Sequence, residues 1–179
     1  KMDSQINKLT VLINDLLDTT KIQEGILLYT KTKINLDETL KETIEDIQKT
    51  TVTHRILLEE TVPLSVMADK ERIIQVINNL LTNAIKYSPG NNNVIVKLIR
   101  QNNMAVCSVQ DFGIGIPKTQ QEKIFEKFYR VDTENLYTYP GIGLGLFIVH
   151  DIVTRHEGKI WVESEEGKGT SVIITLPNK

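Results

Sequence analysis

One predicted helix carries four polar side chains whose chemistry suits a metal ion and a phosphorylated ligand. Spacings of four, three and one place them on one side of that helix: Asn79, Asn83, Lys86 and Tyr87. Two carboxamide oxygens one turn apart can hold Mg²⁺ directly or through its waters, and a lysine can meet phosphate oxygens. A tyrosine can stack on a base. The alternative is a solvated helix face with two incidental asparagines, and this helix alone leaves both interpretations open.

A second candidate site is the segment 111–116, which reads DFGIGI and follows an apolar, β-rich run. The carboxylate of Asp111 can accept a hydrogen bond from the exocyclic amine of adenine, and the glycines let the backbone close over the ring. A tight turn would explain the same residues. The letters DFG also occur in protein kinases, but that class needs an upstream glycine-rich loop, a strand lysine and a His-Arg-Asp loop, which this sequence lacks.

A third candidate site is the segment 141–146, GIGLGL, which opens the last predicted helix. Free backbone N–H groups and the positive end of the helix dipole make such a junction an anion site. Its spacing matches neither a dinucleotide fingerprint nor a Walker loop. Between the second and third sites, residues 125–130 (FEKFYR) contain the strongly placed cation Arg130. The irregular stretch that continues to Pro140 is typical of a functional lid or of disorder.

Helices and strands that would position these segments alternate along the chain. Asp69 can cap the helix of the asparagines, which we expect to end at the run SPGNNN, and Asn35 with Glu38 is a capping signal for an earlier helix. The last helix is expected to end near Arg155. Strands are predicted at 26–34, 54–60, 64–67, 94–100, 104–110, 159–163 and 170–176, with a hairpin turn at 101–103. Because the last strands form hairpins, the pattern indicates a mixed α/β sheet covered on one face by helices, with 26–34 as an edge strand.

The first predicted helix carries an apolar stripe in a heptad pattern, formed by Met2, Ile6, Leu9, Ile13 and Leu16. The pattern ends near Gly25, which is a natural helix stop. Such a helix has to pack on the following domain or on a second chain. Because the stripe lasts under three heptads, periodicity alone favours an ordinary core helix.

Composition excludes several classes of protein. The 179-residue chain has a formal net charge of -2, which leaves no basic field for a nucleic acid or an anionic membrane. The single cysteine, Cys107, lies in an apolar run and is predicted to be a buried hydrophobe, as suits a reducing compartment. No stretch approaches the roughly 18 to 20 apolar residues that span a bilayer. We therefore expect a cytoplasmic domain without direct membrane contact, whether or not a longer parent protein is anchored.

The order of these segments resembles that of sensor histidine kinases. NLLTNAIKY at 79–87, DFGIG at 111–115, FEKFYR at 125–130 and GIGLGL at 141–146 are similar to the N, G1, F and G2 boxes of that family, in its order and at plausible distances. HEGKIWVES at 156–164 and INDLLD at 13–18 are also similar to the family. The resemblance covers nearly the whole chain and reverses the expectation from periodicity. Residues 1–24 resemble the second helix of a dimerisation hairpin, and residues 25–179 resemble a catalytic ATP-binding domain.

The resemblance implies a fold, an activity and partners. The fold would be the Bergerat-type α/β sandwich, a two-layer arrangement shared with gyrase and MutL. The activity would be transfer of the γ-phosphoryl group of ATP to a histidine on the dimerisation domain, upstream of Lys1. His54, predicted in a strand, and His150 and His156 lack the expected helix context. The partners would be a second copy, bound through the dimerisation helices, and the receiver domain of a response regulator, with no nucleic acid.

The resemblance also implies roles for individual residues. Asn83 would be the principal Mg²⁺ ligand, supported by Asn79. Lys86 and Arg130 would neutralise phosphate charge during transfer. The other residues of the implied nucleotide site would line the adenine pocket or let the backbone approach the nucleotide: Tyr87, Asp111, Gly113, Gly115, Ile116, Phe128, Gly141, Gly143, Leu144, Gly145 and Leu146.

Two departures from the family pattern bear on activity. ATP-hydrolysing relatives carry a glutamate four residues before the metal-binding asparagine, where this chain has Asn79. An amide cannot act as a general base towards water, whereas an imidazole nucleophile needs little activation, so the sequence favours a kinase over a hydrolytic clamp. Ile142 stands where many members have Ser or Thr, which removes a possible hydroxyl contact to phosphate. A nucleotide-dependent scaffold is the alternative function.

Overall fold

The computed structural model describes residues 2–131 and 141–178. A long helix, α1, precedes an α/β domain of three helices and seven strands in the described part of the chain. In chain order the elements are α1 (Met2–Gln23), β1 (Thr32–Asn35), α2 (Leu36–Thr50), β2 (Arg55–Thr61), β3 (Ser65–Ala68), α3 (Lys70–Lys86), β4 (Asn93–Gln101), β5 (Met104–Gln110), α4 (Gly145–Arg155), β6 (Lys159–Glu165) and β7 (Gly169–Pro177).

Five of the strands form one mixed sheet in the order β2, β4, β5, β7, β6. Strand β2 runs parallel to β4, and every other neighbouring pair is antiparallel. The predicted hairpin between β4 and β5 is present. Its turn residues Asn102 and Asn103 have φ values of 48° and 60°. Asparagine tolerates this left-handed region, and two such residues in succession match the twist of the flanking strands. The predicted mixed α/β fold is thereby confirmed.

Helices cover one face of this sheet, and their apolar sides form the core. Along β4 the side chains of Val94, Val96 and Leu98 are fully buried, while the intervening residues are half-buried. This alternation is expected of a strand with one covered face. Helix α3 contributes a fully apolar side of buried residues to the same core: Ile73, Val76, Ile77, Leu80, Leu81 and Ala84. Because that side is committed to packing, Asn79 and Asn83 lie outside it.

The predicted edge strand at 26–34 is wrong in extent. Only Thr32–Asn35 is a strand, and it pairs with β3 in a separate two-stranded sheet. The preceding residues make other contacts: the hydroxyl of Tyr29 donates to Asp151 Oδ2 over 2.8 Å, and the backbone N–H of Thr30 donates to Asp69 Oδ2 over 2.9 Å. A side-chain acceptor therefore satisfies the Thr30 N–H, which a strand could have paired along its backbone.

The two predicted helix caps have different outcomes. Asp69 caps α3 as predicted, since its Oδ1 accepts from the backbone N–H of Arg72 over 3.2 Å. Asn35 does occupy the N-cap position of α2, but its Nδ2 donates to Glu38 Oε2 over 2.8 Å, and its side chain binds no backbone N–H. The capping signal thus located the helix start correctly but not its hydrogen bonds. Acidic residues in the first turn, Asp37 and Glu38, complement the helix dipole instead.

Helix α1 is not an ordinary core helix. Its C-terminal part packs on the domain, where Ile22 is buried, but the stripe residues Ile6, Leu9, Ile13 and Leu16 are all exposed. The helix ends at Gln23, next to the predicted stop Gly25, whose φ is 69°, and the N–H of Ile26 donates to the carbonyl of Lys21 over 3.0 Å. Among the described helices, none has the length and apolar character needed to cross a membrane.

Candidate nucleotide-binding site

A cavity of about 220 Å³ lies between α3, the segment after β5 and the start of α4. Most of the residues that the sequence singled out share its wall, although they come from four separate segments. Those on the wall are Asn79, Asn83, Lys86, Tyr87, Asp111, Gly115, Ile116, Arg130, Gly141, Gly143, Leu144, Gly145 and Leu146. Gly113 and Phe128 are not on it. The fold therefore assembles one concave site from the predicted segments.

The carboxylate of Asp111 is held by backbone donors in a way that leaves one oxygen available. The N–H groups of Gly113 and Thr170 both donate to Oδ1, over 2.8 and 3.3 Å. In the described part of the chain, no hydrogen bond reaches Oδ2. Burial raises the pKa of Asp111, and the two backbone hydrogen bonds oppose that shift. A fixed, largely buried acceptor of this kind can select a ligand that presents an N–H group.

Gly113 lies behind this carboxylate rather than on the cavity wall, and no other residue fits there. A Cβ atom at Gly113 would come within 1.9 Å of the carbonyl oxygen of Tyr87. The close approach allows the N–H of Ile114 to donate to that same carbonyl over 3.0 Å. The end of α3 and the segment 111–116 are thereby joined backbone to backbone, which fixes Asp111 relative to Tyr87.

The same cavity wall also contains donors and cations. The Nδ2 atom of Asn79 is buried without a hydrogen-bond partner among the described residues, which is unusual for a buried donor and is expected where a ligand supplies the acceptor. Lys86 Nζ donates to the hydroxyl of Tyr87 over 2.8 Å. Helix α4 begins here at Gly145, with the positive end of its dipole at the cavity. These groups suit a polyanion.

The segment 125–130 contributes Arg130 as predicted, but Tyr129 in place of Phe128. Phe128 has a φ of 64°, and 52% of it is exposed, so its ring lies outside the cavity, beneath Lys127 Nζ at 4.8 Å from the ring centroid. Its backbone N–H donates to the carbonyl of Gly143 over 3.0 Å, while Tyr129 and Arg130 reach the wall. The left-handed backbone thus turns Phe128 away. The proposed lid up to Pro140 falls on residues 132–140, outside the described residues.

Thr170 is a site residue that sequence reasoning missed. It lines the cavity, its N–H donates to Asp111 Oδ1, and its Oγ1 lies 2.9 Å from Ser164 Oγ. It is 59 positions from Asp111 and sits on β7, which pairs with the strand before the segment 111–116. No spacing rule links the two positions, because the strand pairing that brings them together is a tertiary property.

Comparison with known proteins gives the family of this site. Residues 68–179 match the family described as histidine kinase-, DNA gyrase B-, and HSP90-like ATPase. The chain belongs to this family. Among its curated relatives is the sensor histidine kinase WalK of Bacillus subtilis, 34% identical over 180 residues, which covers 98% of this chain and 30% of that protein. This chain thus spans less than a third of that relative.

Solved structures agree with this assignment to the histidine kinase-like ATPases. The mycobacterial sensor histidine kinase MprB is similar with a TM-score of 0.74 and 28% identity, covering 84% of this chain and 99% of that one. The catalytic domain of the histidine kinase ThkA is 33% identical with a TM-score of 0.67, covering 83% and 96%. The chain is therefore an ATP-binding domain of the sensor histidine kinase type, and ATP is the ligand that its family implies for the cavity.

Two residues of α1 also line the nucleotide cavity of this histidine kinase domain. Leu12 and Asp15 lie on its wall, although sequence reasoning assigned α1 only to dimerisation. Burial raises the pKa of Asp15 to about 6, and repulsion by Asp18 adds to the shift. A carboxylate thus stands in the same cavity as Lys86 and Arg130, where it would repel the phosphates of a bound nucleotide.

The three histidines of the chain have structural or surface positions. His156 is buried, accepts from the N–H of Asp69 through Nε2 over 3.0 Å and donates through Nδ1 to the carbonyl of Ile152 over 2.7 Å; burial lowers its pKa. His54 is buried in the loop before β2 rather than in the predicted strand. His150 is exposed on α4 and is not on the cavity wall.

Proposed function

We propose that this chain is the catalytic region that binds Mg-ATP in a sensor histidine kinase and transfers the γ-phosphoryl group to a histidine. The observation that carries the proposal is the polarity of the cavity. One wall combines a buried acceptor, Asp111, with an unpaired amide on Asn79, two cations and a helix N-terminus. The acceptor suits the adenine amine, and the other groups suit a triphosphate.

The residues present fit a magnesium ion bound together with the nucleotide. In the ranges 2–131 and 141–178, no group of three His, Cys, Asp or Glu side chains could form a metal site by itself. The carboxamide oxygens of Asn83 and Asn79, on adjacent turns of α3, are neutral protein oxygens on the cavity wall. Mg²⁺ prefers few protein ligands, several waters and substrate phosphates, and it would supply neutralisation of phosphate charge. Asn83 would be the main ligand.

Transfer is favoured over hydrolysis because the chain lacks a base at the position that hydrolytic relatives use. Asn79, four residues before Asn83, cannot remove a proton from water. Lys86 and Arg130 offset the charge on the phosphoryl group as it moves. The acceptor is a histidine from outside these residues, because His54 and His156 are buried and hydrogen-bonded, and His150 faces away from the cavity.

Residues 1–24 are proposed to belong to the dimerisation domain and residues 25–179 to the catalytic domain. The exposed stripe of Ile6, Leu9, Ile13 and Leu16 supports the division, since an apolar seam of this kind needs covering helices. The helices that cover this stripe would be the other helices of a four-helix bundle in a dimer. The phosphorylated histidine of that bundle would then pass its phosphoryl group to the receiver domain of a response regulator.

The proposal can be tested by combining this chain with a separately made dimerisation hairpin that contains the acceptor histidine. With labelled Mg-ATP we expect acid-labile, base-stable phosphohistidine on the hairpin and essentially none on the chain alone. Arg130→Ala should lower the rate of transfer more than it lowers ATP affinity, because its partner is the charge that develops on the phosphoryl group. Tight Mg-ATP binding by a protein with both dimerisation helices, without any labelling, would instead identify a nucleotide-dependent scaffold.

A further inference from the structure

The imidazole of His54 is buried and is aimed at the end of α3. Its Nε2 lies 3.0 Å from Ser88 Oγ and 3.2 Å from the carbonyl oxygen of Ser88. A carbonyl oxygen only accepts, and the single hydroxyl proton of Ser88 is already donated to the carbonyl of Ala84 over 2.6 Å. Nε2 must therefore carry a proton and donate it to Ser88.

The other side of the ring is held from α2 and from the loop before β2. Nδ1 of His54 lies 2.9 Å from Thr53 Oγ1, which donates to it in the neutral imidazole. Gln48 of α2 donates to the carbonyl of His54 over 3.0 Å and accepts from the N–H of Ile56 over 2.8 Å. Thr53 and Gln48 thus hold one ring nitrogen and the backbone of His54, and the second ring nitrogen contacts Ser88.

Two hydrogen bonds, joined by the covalent backbone, connect Ser88 to the carboxylate of the cavity. Ser88 directly follows Tyr87, whose carbonyl accepts from the N–H of Ile114 over 3.0 Å. Ile114 follows Gly113, whose N–H donates to Asp111 Oδ1 over 2.8 Å. Ser88 has no exposed surface. A displacement of this residue would therefore be transmitted to the backbone that orients Asp111.

We propose that His54 is a positioning residue for the adenine end of the nucleotide site, acting through Ser88 and the backbone of Tyr87 on Gly113 and Asp111. The inference rests on the proposed function, since it concerns how the same cavity holds ATP. His54 does not touch the ligand. It fixes the position of the Tyr87 carbonyl relative to Gly113. Gly113 packs against this carbonyl too closely for a side chain to be present.

The test compares His54→Leu, which removes the donor at similar volume, with His54→Gln, whose side-chain amide can donate from a position similar to that of Nε2. Amide hydrogen exchange is measured at Gly113 and Ile114 and, as a distant probe, at Ile148 in the first turn of α4. For His54→Leu we expect exchange about threefold to tenfold faster at Gly113 and Ile114, unchanged exchange at Ile148, and Mg-ATP affinity about threefold to tenfold lower. His54→Gln should stay within about twofold of wild type in each measurement.

Equal acceleration at Ile148, unchanged exchange at Gly113 and Ile114, or a His54→Gln variant as impaired as His54→Leu would overturn the positioning role. If His54→Leu does not fold, Ser88→Ala carries the same comparison, because it removes one of the two acceptors for Nε2 and keeps the carbonyl. Failure of the wild-type chain to bind Mg-ATP would overturn the proposed function and this role with it. If the wild type binds Mg-ATP but His54→Leu and His54→Gln show the same exchange at Gly113 and Ile114, only this role is overturned.

Discussion

Arg72 Nη1 donates to Asp18 Oδ2 over 2.6 Å, and this ion pair ties helix α1 to helix α3. Gln75 Nε2 donates to the same oxygen over 2.9 Å and accepts from Arg72 Nη1 through its Oε1 over 2.8 Å. Both partners of the pair are mostly shielded from solvent. The contact holds α1 in the position in which Leu12 and Asp15 reach the nucleotide cavity.

Replacing Asp18 by Ala should release α1 from the domain. Arg72 and Gln75 would lose a shared acceptor in a shielded place, at a cost of about 1–3 kcal/mol in the free energy of docking. Hydrogen exchange of the α1 amides between residues 15 and 22 should accelerate, while exchange in β4 and β5 stays unchanged. Lys49→Ala is a suitable control, because its ion pair with Asp46 is exposed and is expected to contribute little. Unchanged α1 exchange in the Asp18 variant would show that apolar contacts alone hold the helix.

Asp15 should make the stability of the docked state depend on pH. Its pKa is raised from 3.8 to about 6, so the folded protein binds this proton more tightly than the unfolded chain does. Stability is therefore lost as pH rises from about 4 through 6, and the full cost applies above 6. Asp15→Asn should raise the free energy of unfolding at pH 7.5 by about 1 kcal/mol, allowing for the partial exposure of the side chain.

Urea unfolding of wild type and Asp15→Asn at pH 5 and pH 7.5 measures this effect. The gain should be larger at pH 7.5 than at pH 5. Glu45→Gln, on the exposed side of α2, provides a control with the same change of charge. A gain of the same size at both pH values would mean that the Asp15 carboxyl does not titrate in this window.

Nucleotide affinity should depend on both Asn83 and Asp111, which line the same cavity. Asn83→Asp adds a negative charge beside the phosphates, and Asp111→Asn replaces an acceptor oxygen with an N–H donor that opposes the adenine amine. Each change should abolish most Mg-ATP binding in a calorimetric titration while the circular dichroism spectrum stays unchanged. Asn78→Asp, on the same helix but off the cavity wall, is the matched control. Unchanged affinity in both site variants would remove the assignment of the cavity as the ATP site.

Gly143 and Gly167 allow steric crowding to be separated from backbone strain. Both have a φ of 78°. A Cβ at Gly143 would lie 2.6 Å from the carbonyl oxygen of Tyr129, whereas a Cβ at Gly167 would have no other atom within 4 Å. Alanine at either position should cost about 1–2 kcal/mol in stability, because both adopt the left-handed conformation. Only Gly143→Ala should also displace the segment that carries Arg130 and so lower ATP affinity. Thermal unfolding with and without Mg-ATP compares the two variants, and equal loss of ATP affinity would contradict the steric argument.

Local features of this protein followed from the sequence because their causes are local. The spacing of Asn79, Asn83 and Lys86 implies a shared side once the segment is helical, since a helix repeats every 3.6 residues. The turn at Asn102 and Asn103 and the stop at Gly25 depend on the conformations that individual residues tolerate. The burial of Cys107 followed from its apolar neighbours, and burial raises its pKa to about 12.

Long-range placement was decided only by the tertiary structure. Of the strand predicted at 26–34, only the end pairs with β3, and the Thr30 N–H instead donates to the side chain of Asp69. Thr170 reaches Asp111, and His54 reaches Ser88, across 59 and 34 positions of the chain. Such distances are set by strand order and helix docking, which depend on the packing of the whole core rather than on any segment. The sequence thus determined which side chains could bind the nucleotide, and the fold decided which of them meet in one cavity.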